Sequence, residues 1–249
     1  MKKILTVIEL LLLCVFLVSA GYTGFYFYQS FTAGNEFDDL RSLVHESENT
    51  PENSEDSETD EAQTLLPYLK LYEENDDFFG WLKVSGTQID YPVMQAEDNE
   101  FYMHKNFYKE YRYCGIPFVD YQCNRNPLST NTIIYAHNMR DGSMFAELDK
   151  YADKSFFLNN GNIEFDTKDG LGTYEVFAAF RTTADSFLYN TYINMDDEEE
   201  FDEFISTVKG MSLYDTDVQP VFGDKLLTLS TCSYNKKNER FVVIAKKVV

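Results

Sequence analysis

Short β-like runs separated by turn residues recur beyond residue 80, and this spacing constrains the fold of the chain more than any other feature. Clusters of Gly, Asn and Asp separate most of the runs, and these residue types favour turns. Such a pattern is typical of an all-β barrel or sandwich and disfavours a parallel α/β sheet. The predicted strands are residues 81–84, 88–94, 115–121, 131–136, 162–167, 173–181, 218–222, 225–231 and 240–248.

Two helices are predicted beside these strands. Residues 196–210 begin with acidic residues, end in Lys-Gly and place apolar residues at helical spacing, which indicates an amphipathic helix packed on the sheet. The apolar face of this helix consists of Phe201, Phe204, Ile205 and Val208. Residues 63–75 predict a shorter helix, whose apolar face consists of Leu65, Leu66, Leu69 and Tyr72.

The N-terminus carries a membrane-targeting pattern. Lys2 and Lys3 precede an apolar stretch that continues to about residue 28, long enough to span a bilayer, which favours an uncleaved signal anchor over residues 1–30 with a cytoplasmic N-terminus. A signal peptide cleaved after Ala20 is the alternative. Residues 31–62 are acidic and poor in apolar residues, which predicts an extended tether outside the cell, and residues 63–249 form the folded domain.

Composition excludes one class of partner. The formal net charge of −21 argues against nucleic acid, because phosphate binding requires a basic surface. The 44% apolar content and the 39 Phe and Tyr residues supply a substantial core for one domain.

Three residues at predicted strand ends suggest nucleophilic chemistry. Cys232 closes one run, Arg240 opens the next, and His137 follows the run 131–136. A cation near a thiol favours the thiolate, which is the nucleophilic form, and an imidazole can transfer protons near neutral pH. Taken singly, each of the three is also compatible with a structural role, as a buried thiol, a hydrogen-bonded imidazole or a surface cation.

The other cysteines and histidines indicate no further site. An extended run between Cys114 and Cys123 would hold them too far apart for a disulfide, so both are predicted to be buried free thiols. His45 is predicted to be solvated, and His104 to be structural or to lie at the edge of a groove. Three scattered histidines without a Cys-x-x-Cys pair give no metal pattern, and neither a metal nor a cofactor is predicted.

Four blocks of the sequence resemble the class B sortases, membrane-anchored cysteine transpeptidases of Gram-positive bacteria. The blocks are residues 80–93, 133–145, 228–232 and 240–243, and they run in the family's order through most of residues 63–249. The resemblance implies a closed β-barrel with added helices. In that family a helix in the connection before the cysteine strand is characteristic of class B, and the helix predicted over residues 196–210 occupies this position.

The resemblance further implies the reaction. Cys232 would attack the Thr carbonyl of a C-terminal sorting signal of the Asn/Ser-Pro-x-Thr-Asn/Gly type, and His137 would protonate the leaving amine. Arg240 would stabilise the oxyanion or hold the substrate backbone. A lipid II-type peptidoglycan precursor amine would then resolve the thioacyl enzyme and attach the surface protein to the cell wall. The residues expected to line the substrate groove are Ser230, Thr231 and Tyr189.

Two other functions are compatible with parts of this pattern. A catalytically silent binding module on a membrane stalk would share the anchor and the barrel, and selective alkylation of one cysteine with loss of activity would exclude it. A papain-like hydrolase is disfavoured, because Cys232 follows its histidine and lies near the C-terminus.

Overall fold

The computed structural model describes residues 2–48, 68–168, 170–183, 185–232 and 238–248, and only the backbone of Lys2, of residues 45–48 and of Cys232. Within these ranges eight strands close into a barrel in the order β1-β2-β3-β4-β7-β8-β6-β5. The strands are β1 Phe78–Val84, β2 Asp90–Met94, β3 Phe118–Val119, β4 Asn131–Ala136, β5 Asn162–Thr167, β6 Thr173–Thr183, β7 Leu226–Cys232 and β8 Glu239–Lys247. The α-helices are α1 Lys2–Glu48, α2 Leu69–Glu74, α3 Lys154–Asn159 and α4 Glu198–Met211.

The predicted closed β-barrel with added helices is confirmed. Most neighbouring strands are antiparallel, whereas β2 pairs with β3 and β4 pairs with β7 in parallel. The pairing of β1 with β5 closes the barrel. Leu227, Leu229 and Val243 are fully buried, so the strands that are expected to carry the site also form part of the hydrophobic core.

Two predicted strands differ from the structure. Residues 218–222 form no strand, because Asp224 ends the segment in a turn: its carboxylate accepts from the Val221 amide and its own amide donates to the Val221 carbonyl. Of residues 115–121 only Phe118 and Val119 are in a strand. Cys114 and Cys123 are nevertheless free and buried, as predicted, although the extended run invoked to separate them is not formed.

Helix α1 is longer than the predicted membrane anchor, so the expectation of an extended backbone directly after the anchor was wrong. Residues 31–48, expected to be an extended tether, are helical. Phe37, Leu40 and Val44 recur at helical spacing, a periodicity that the acidic composition of the segment obscures. By length and composition this helix is able to cross a membrane.

The chain divides into two compact units, residues 1–40 and 41–249. The proposed domain boundaries at residues 30 and 62 stay predictions. The predicted helix over 63–75 begins at Leu69 and ends at Glu74, and residues 63–67 lie outside the described ranges.

The predicted amphipathic helix is confirmed as α4. The Asp197 side chain caps its N-terminus by accepting a hydrogen bond from the Glu200 amide at 2.8 Å. The four predicted apolar residues are buried, and the helix packs against β6. It lies in the connection between β6 and β7, so it anchors the segment that leads to the cysteine strand.

Candidate active site

The strand register brings the three predicted catalytic residues to one end of the barrel. Strands β4 and β7 run in parallel, with Ala136 opposite Thr231, so the next residues along, His137 and Cys232, are level with each other. Strand β8 pairs with β7 on its other side, with Arg240 directly opposite Cys232. Because directly paired residues have Cα atoms about 5 Å apart, Cys232 lies between the histidine and the arginine at backbone level.

The His137 imidazole is half-buried and held by a backbone carbonyl. Its Nε2 donates to the Met103 carbonyl oxygen at 3.0 Å, which leaves Nδ1 for proton exchange. Burial lowers the pKa of His137; the Met103 carbonyl opposes this shift, and the charges of His104 and Arg240 add to it. The imidazole is therefore biased towards its neutral form.

Arg240 lines the cavity beside His137, whereas a second arginine on the neighbouring strand lies elsewhere. The Arg181 guanidinium pairs with Asp149 at 3.1 Å and with Glu239 at 3.7 Å, and it lies over the Phe241 ring. Glu239 and Phe241 flank Arg240 in sequence, and side chains alternate between the two faces of a strand. The register of β8 thus separates a groove-facing cation from a structural one.

A cavity of about 390 Å³ opens beside these residues. Its lining contains five of the six predicted site residues, namely His137, Arg240, Ser230, Thr231 and Tyr189. The apolar part of the lining consists of Met103, Ile116, Phe118, Ala136, Phe187 and Leu188. The remaining lining residues are Asn99, Glu100, Tyr135 and Asn190. A mostly apolar cleft with a few polar groups is typical of a ligand site.

Two of the three predicted groove residues form the buried floor of this cavity, and the third, Tyr189, is hydrogen-bonded to that floor from the neighbouring wall. Ser230 and Thr231 are each 1% exposed, and the Ser230 hydroxyl is hydrogen-bonded to the Tyr189 hydroxyl at 2.6 Å. Tyr189 begins a short 3-10 helix, Tyr189–Thr191, in the connection between β6 and β7. This hydrogen bond links the segment between β6 and β7 to β7 itself, the strand that ends at Cys232.

A buried carboxylate that the sequence analysis did not identify supports the opposite side of the cavity. Asp120 is fully buried and accepts hydrogen bonds from the Tyr135 hydroxyl at 3.0 Å and the Asn99 amide at 3.1 Å. The Asn99 carbonyl oxygen accepts from the Tyr121 amide, so both ends of this side chain are fixed. Burial, and secondly Asp120, raise the pKa of Tyr135, which keeps its hydroxyl a donor.

One sequence signal pointed to part of this network. Tyr135 lies two residues before His137, so strand alternation places both on one face of β4. Asn99 lies in an irregular segment and Asp120 just after a two-residue strand, where the sequence carries no periodic pattern.

Among the described cysteines, Cys123 is a poor nucleophile, because burial raises the pKa of its thiol to about 12.

Comparison with known proteins assigns the barrel to one protein family. Residues 82–248 match the sequence model of the sortase domain. The chain therefore belongs to the sortase family of cysteine transpeptidases. Within that family it is a class B sortase, as its relatives show.

The relatives agree in sequence and in structure. Sortase B of Listeria monocytogenes is 36% identical over 245 residues, which cover 97% of this chain and 95% of the relative. Sortase B of Staphylococcus aureus is 36% identical over 175 residues, covering 69% of this chain and 70% of the relative.

Among solved structures, a mutant form of Clostridium perfringens sortase B matches with a TM-score of 0.76 at 31% identity. The match covers 87% of this chain and 98% of that one. A Staphylococcus aureus sortase B–substrate complex matches with a TM-score of 0.75 at 29% identity, covering 88% and 98%.

Proposed function

We propose that this class B sortase uses Cys232, His137 and Arg240 to cleave a C-terminal sorting signal of the Asn/Ser-Pro-x-Thr-Asn/Gly type. It then joins the freed Thr carboxyl group to an amine of a lipid II-type peptidoglycan precursor. The observation that carries the proposal is the register of β4, β7 and β8, which aligns the three residues beside the cavity. The family membership favours this activity over a silent binding module.

The first half-reaction forms a thioacyl enzyme. The Cys232 thiolate attacks the Thr carbonyl carbon, and the carbonyl electrons move to oxygen. Arg240 stabilises this oxyanion with its charge and its N–H donors. His137 takes the thiol proton at Nδ1 as the thiolate forms, and when the C–N bond breaks the resulting imidazolium gives this proton to the leaving amine.

The second half-reaction transfers the acyl group. Neutral His137 accepts a proton at Nδ1 from the incoming amine as its nitrogen attacks the thioester carbonyl. Collapse of the second oxyanion breaks the C–S bond and returns the thiolate. The lowered pKa of His137 suits this step, because it keeps the imidazole neutral and ready to accept a proton at neutral pH.

The cavity supports a peptide substrate. Its volume is within the usual range for ligand sites, and its apolar walls suit the Pro ring of a sorting signal. A sortase B of Staphylococcus aureus with a similar fold has been solved as a complex with its substrate. Ser230 and Thr231 shape the floor against which the peptide lies, and Tyr189 shapes the wall beside it.

We also propose that helix α1 anchors the enzyme in the membrane, with its N-terminus in the cytoplasm and the barrel outside. Lys2 and Lys3 precede the apolar stretch, in agreement with the positive-inside rule. Cell fractionation tests this proposal, with the full chain expected in the membrane fraction. N-terminal sequencing tests the alternative, since a mature protein starting at Gly21 would show that the segment is a cleaved signal peptide.

Cleavage of a small sorting-signal peptide library by the full chain in detergent micelles tests the reaction. We expect cleavage after Thr, an enzyme whose mass rises by the N-terminal peptide fragment, and faster product release when hydroxylamine is added as the amine. A scrambled peptide of equal composition is the control. Failure of the whole library to form an acyl-enzyme would contradict the proposed function.

A further inference from the structure

A second histidine lies against the proposed catalytic one. His104 ends the 3-10 helix Phe101–His104, and its ring is stacked on the His137 ring, with centroids 5.5 Å apart and planes 25° apart. The orientation of the His104 ring is itself fixed, because its Nδ1 lies 3.3 Å from the Tyr113 carbonyl oxygen. The sequence analysis expected a structural or groove-edge role for this residue.

Two consecutive residues of the same short helix hold the His137 imidazole. The Met103 carbonyl accepts the Nε2 hydrogen in the plane of the ring, and His104 covers one face of the ring. An in-plane hydrogen bond and a face contact together restrict the ring in two independent directions. The orientation of Nδ1 towards a reacting group therefore depends on the Phe101–His104 helix as well as on β4.

We propose that His104 is a positioning residue for His137: it holds the catalytic imidazole by stacking and, when positively charged, opposes protonation of that imidazole. The proposal rests on the catalytic role of His137 in the proposed function. It adds a residue outside the strand ends to those that orient the catalytic imidazole.

Charged groups other than His104 also lie near His137. Arg240 on β8 also faces His137, but a guanidinium stays charged at all pH values of interest. Glu100 lines the same cavity, and Asp141, in the turn after His137, is hydrogen-bonded to Ser143. After burial, the charges of His104 and Arg240 lower the pKa of His137 further.

The expected size of the coupling follows from Coulomb's law. Even in a water-like dielectric, the repulsion between two unit charges 5.5 Å apart is large enough to move the midpoint of a titration by about half a pH unit. His104 is exposed, so dissolved salt screens the interaction. The effect is expected to be largest at low ionic strength.

Nuclear magnetic resonance of the full chain in micelles, with carbon-13-labelled histidine, measures this coupling directly. The chain contains only three histidines, so one variant at each position assigns the signals. In His104→Phe, which keeps a flat ring without the charge, we expect the His137 midpoint to rise by about half a pH unit or more. His45→Gln removes a different histidine and is expected to leave the midpoint unchanged.

Kinetics test the positioning part. We expect His104→Ala to lower kcat severalfold at unchanged KM, because the imidazole loses the contact on one face. His104→Phe should retain more of the wild-type kcat than His104→Ala.

An unchanged His137 midpoint in both His104→Phe and His104→Gln would overturn the proposal, as would wild-type kcat in His104→Ala. The titration is read without turnover, so it also separates this inference from the proposed function. If the midpoint shifts in a protein that forms no acyl-enzyme, the coupling between His104 and His137 is supported and the proposed transpeptidase activity is rejected.

Discussion

The two sides of the cavity are built by different physical means. One side, the strand floor, consists of residues 136–137, 230–232 and 240, at the ends of three paired strands. The other side, the loop wall, consists of residues 99–103 and 187–190, which lie in irregular segments and short 3-10 helices. The backbone ladder fixes the strand floor, whereas the loop wall is held by local backbone turns together with side-chain hydrogen bonds.

This difference predicts how each side responds to substitution. A side-chain change on the strand floor leaves the backbone ladder intact, so it should alter chemistry more than structure. The loop wall depends on contacts such as Asn99–Asp120 and Tyr189–Ser230. Removing one of these partners should move the wall and weaken substrate binding before it affects the chemical step.

The largest effect is expected from Cys232→Ala. The substitution removes the proposed nucleophile, so peptide cleavage and acyl-enzyme formation should disappear. The β7–β8 pairing should remain, because it depends on backbone groups. Peptide cleavage by the purified variant, with circular dichroism as a check of the fold, measures both outcomes. Cys114→Ala removes a buried thiol elsewhere and should stay active; turnover by the Cys232 variant would refute the assignment.

Arg240→Lys should lose activity by roughly a hundredfold or more, although the charge is kept. A planar guanidinium presents several N–H donors in fixed geometry, and losing one oxyanion donor typically costs about 3 kcal/mol. Arg181→Lys is the matched control, because its guanidinium pairs with Asp149 and Glu239 away from the groove. The measurement is kcat/KM of both variants across pH. Near wild-type turnover of the Arg240 variant would leave only an electrostatic role for this residue.

The same contrast explains which parts of the molecule the sequence predicted. Alternating apolar residues and turn clusters identified seven of the eight strands in the described ranges with nearly correct bounds, and so the end of the barrel where the proposed catalytic residues lie. The remaining strand, β3, was predicted too long. The Asp120 network was missed because its partners, Asn99 and Tyr135, are remote in sequence and only the closed fold brings them together.

Helix α1 illustrates the opposite error. Composition alone assigned residues 31–62 to an extended tether, because the segment as a whole is rich in acidic and polar residues and poor in apolar ones. The apolar residues at helical spacing were the stronger signal, and the helix runs through Glu48. The charge content of a segment indicates how well it is solvated, whereas the spacing of its apolar residues indicates whether its backbone is helical.

Asp120→Asn tests the loop wall with a smaller expected effect. Oδ2 of Asp120 accepts from both Tyr135 and Asn99, and Oδ1 accepts from the Gln122 amide, so an amide nitrogen at either position faces a donor and leaves a buried group unpaired, which costs about 1–3 kcal/mol of unfolding free energy. KM should rise severalfold while kcat changes less. Denaturation followed by fluorescence of Trp81, the single tryptophan, measures stability.

The control for this substitution is Asp153→Asn, at the cap of helix α3. The Asp153 side chain also accepts backbone hydrogen bonds, but it is exposed and Asn is an equally good cap. Its stability and kinetics should stay close to those of the wild type. A fall in kcat at constant KM in the Asp120 variant would show that the carboxylate supports the chemical step instead.

The smallest effect is expected at the contact between the two sides, the hydrogen bond from Tyr189 to Ser230. Tyr189→Phe and Ser230→Ala each remove one hydroxyl and should each lower kcat/KM by about fivefold, in line with a net value of about 1 kcal/mol for a buried hydrogen bond. If the two hydroxyls act through this bond, the double variant should be no worse than either single one. Losses that add in the double variant would mean that each hydroxyl contacts the substrate independently.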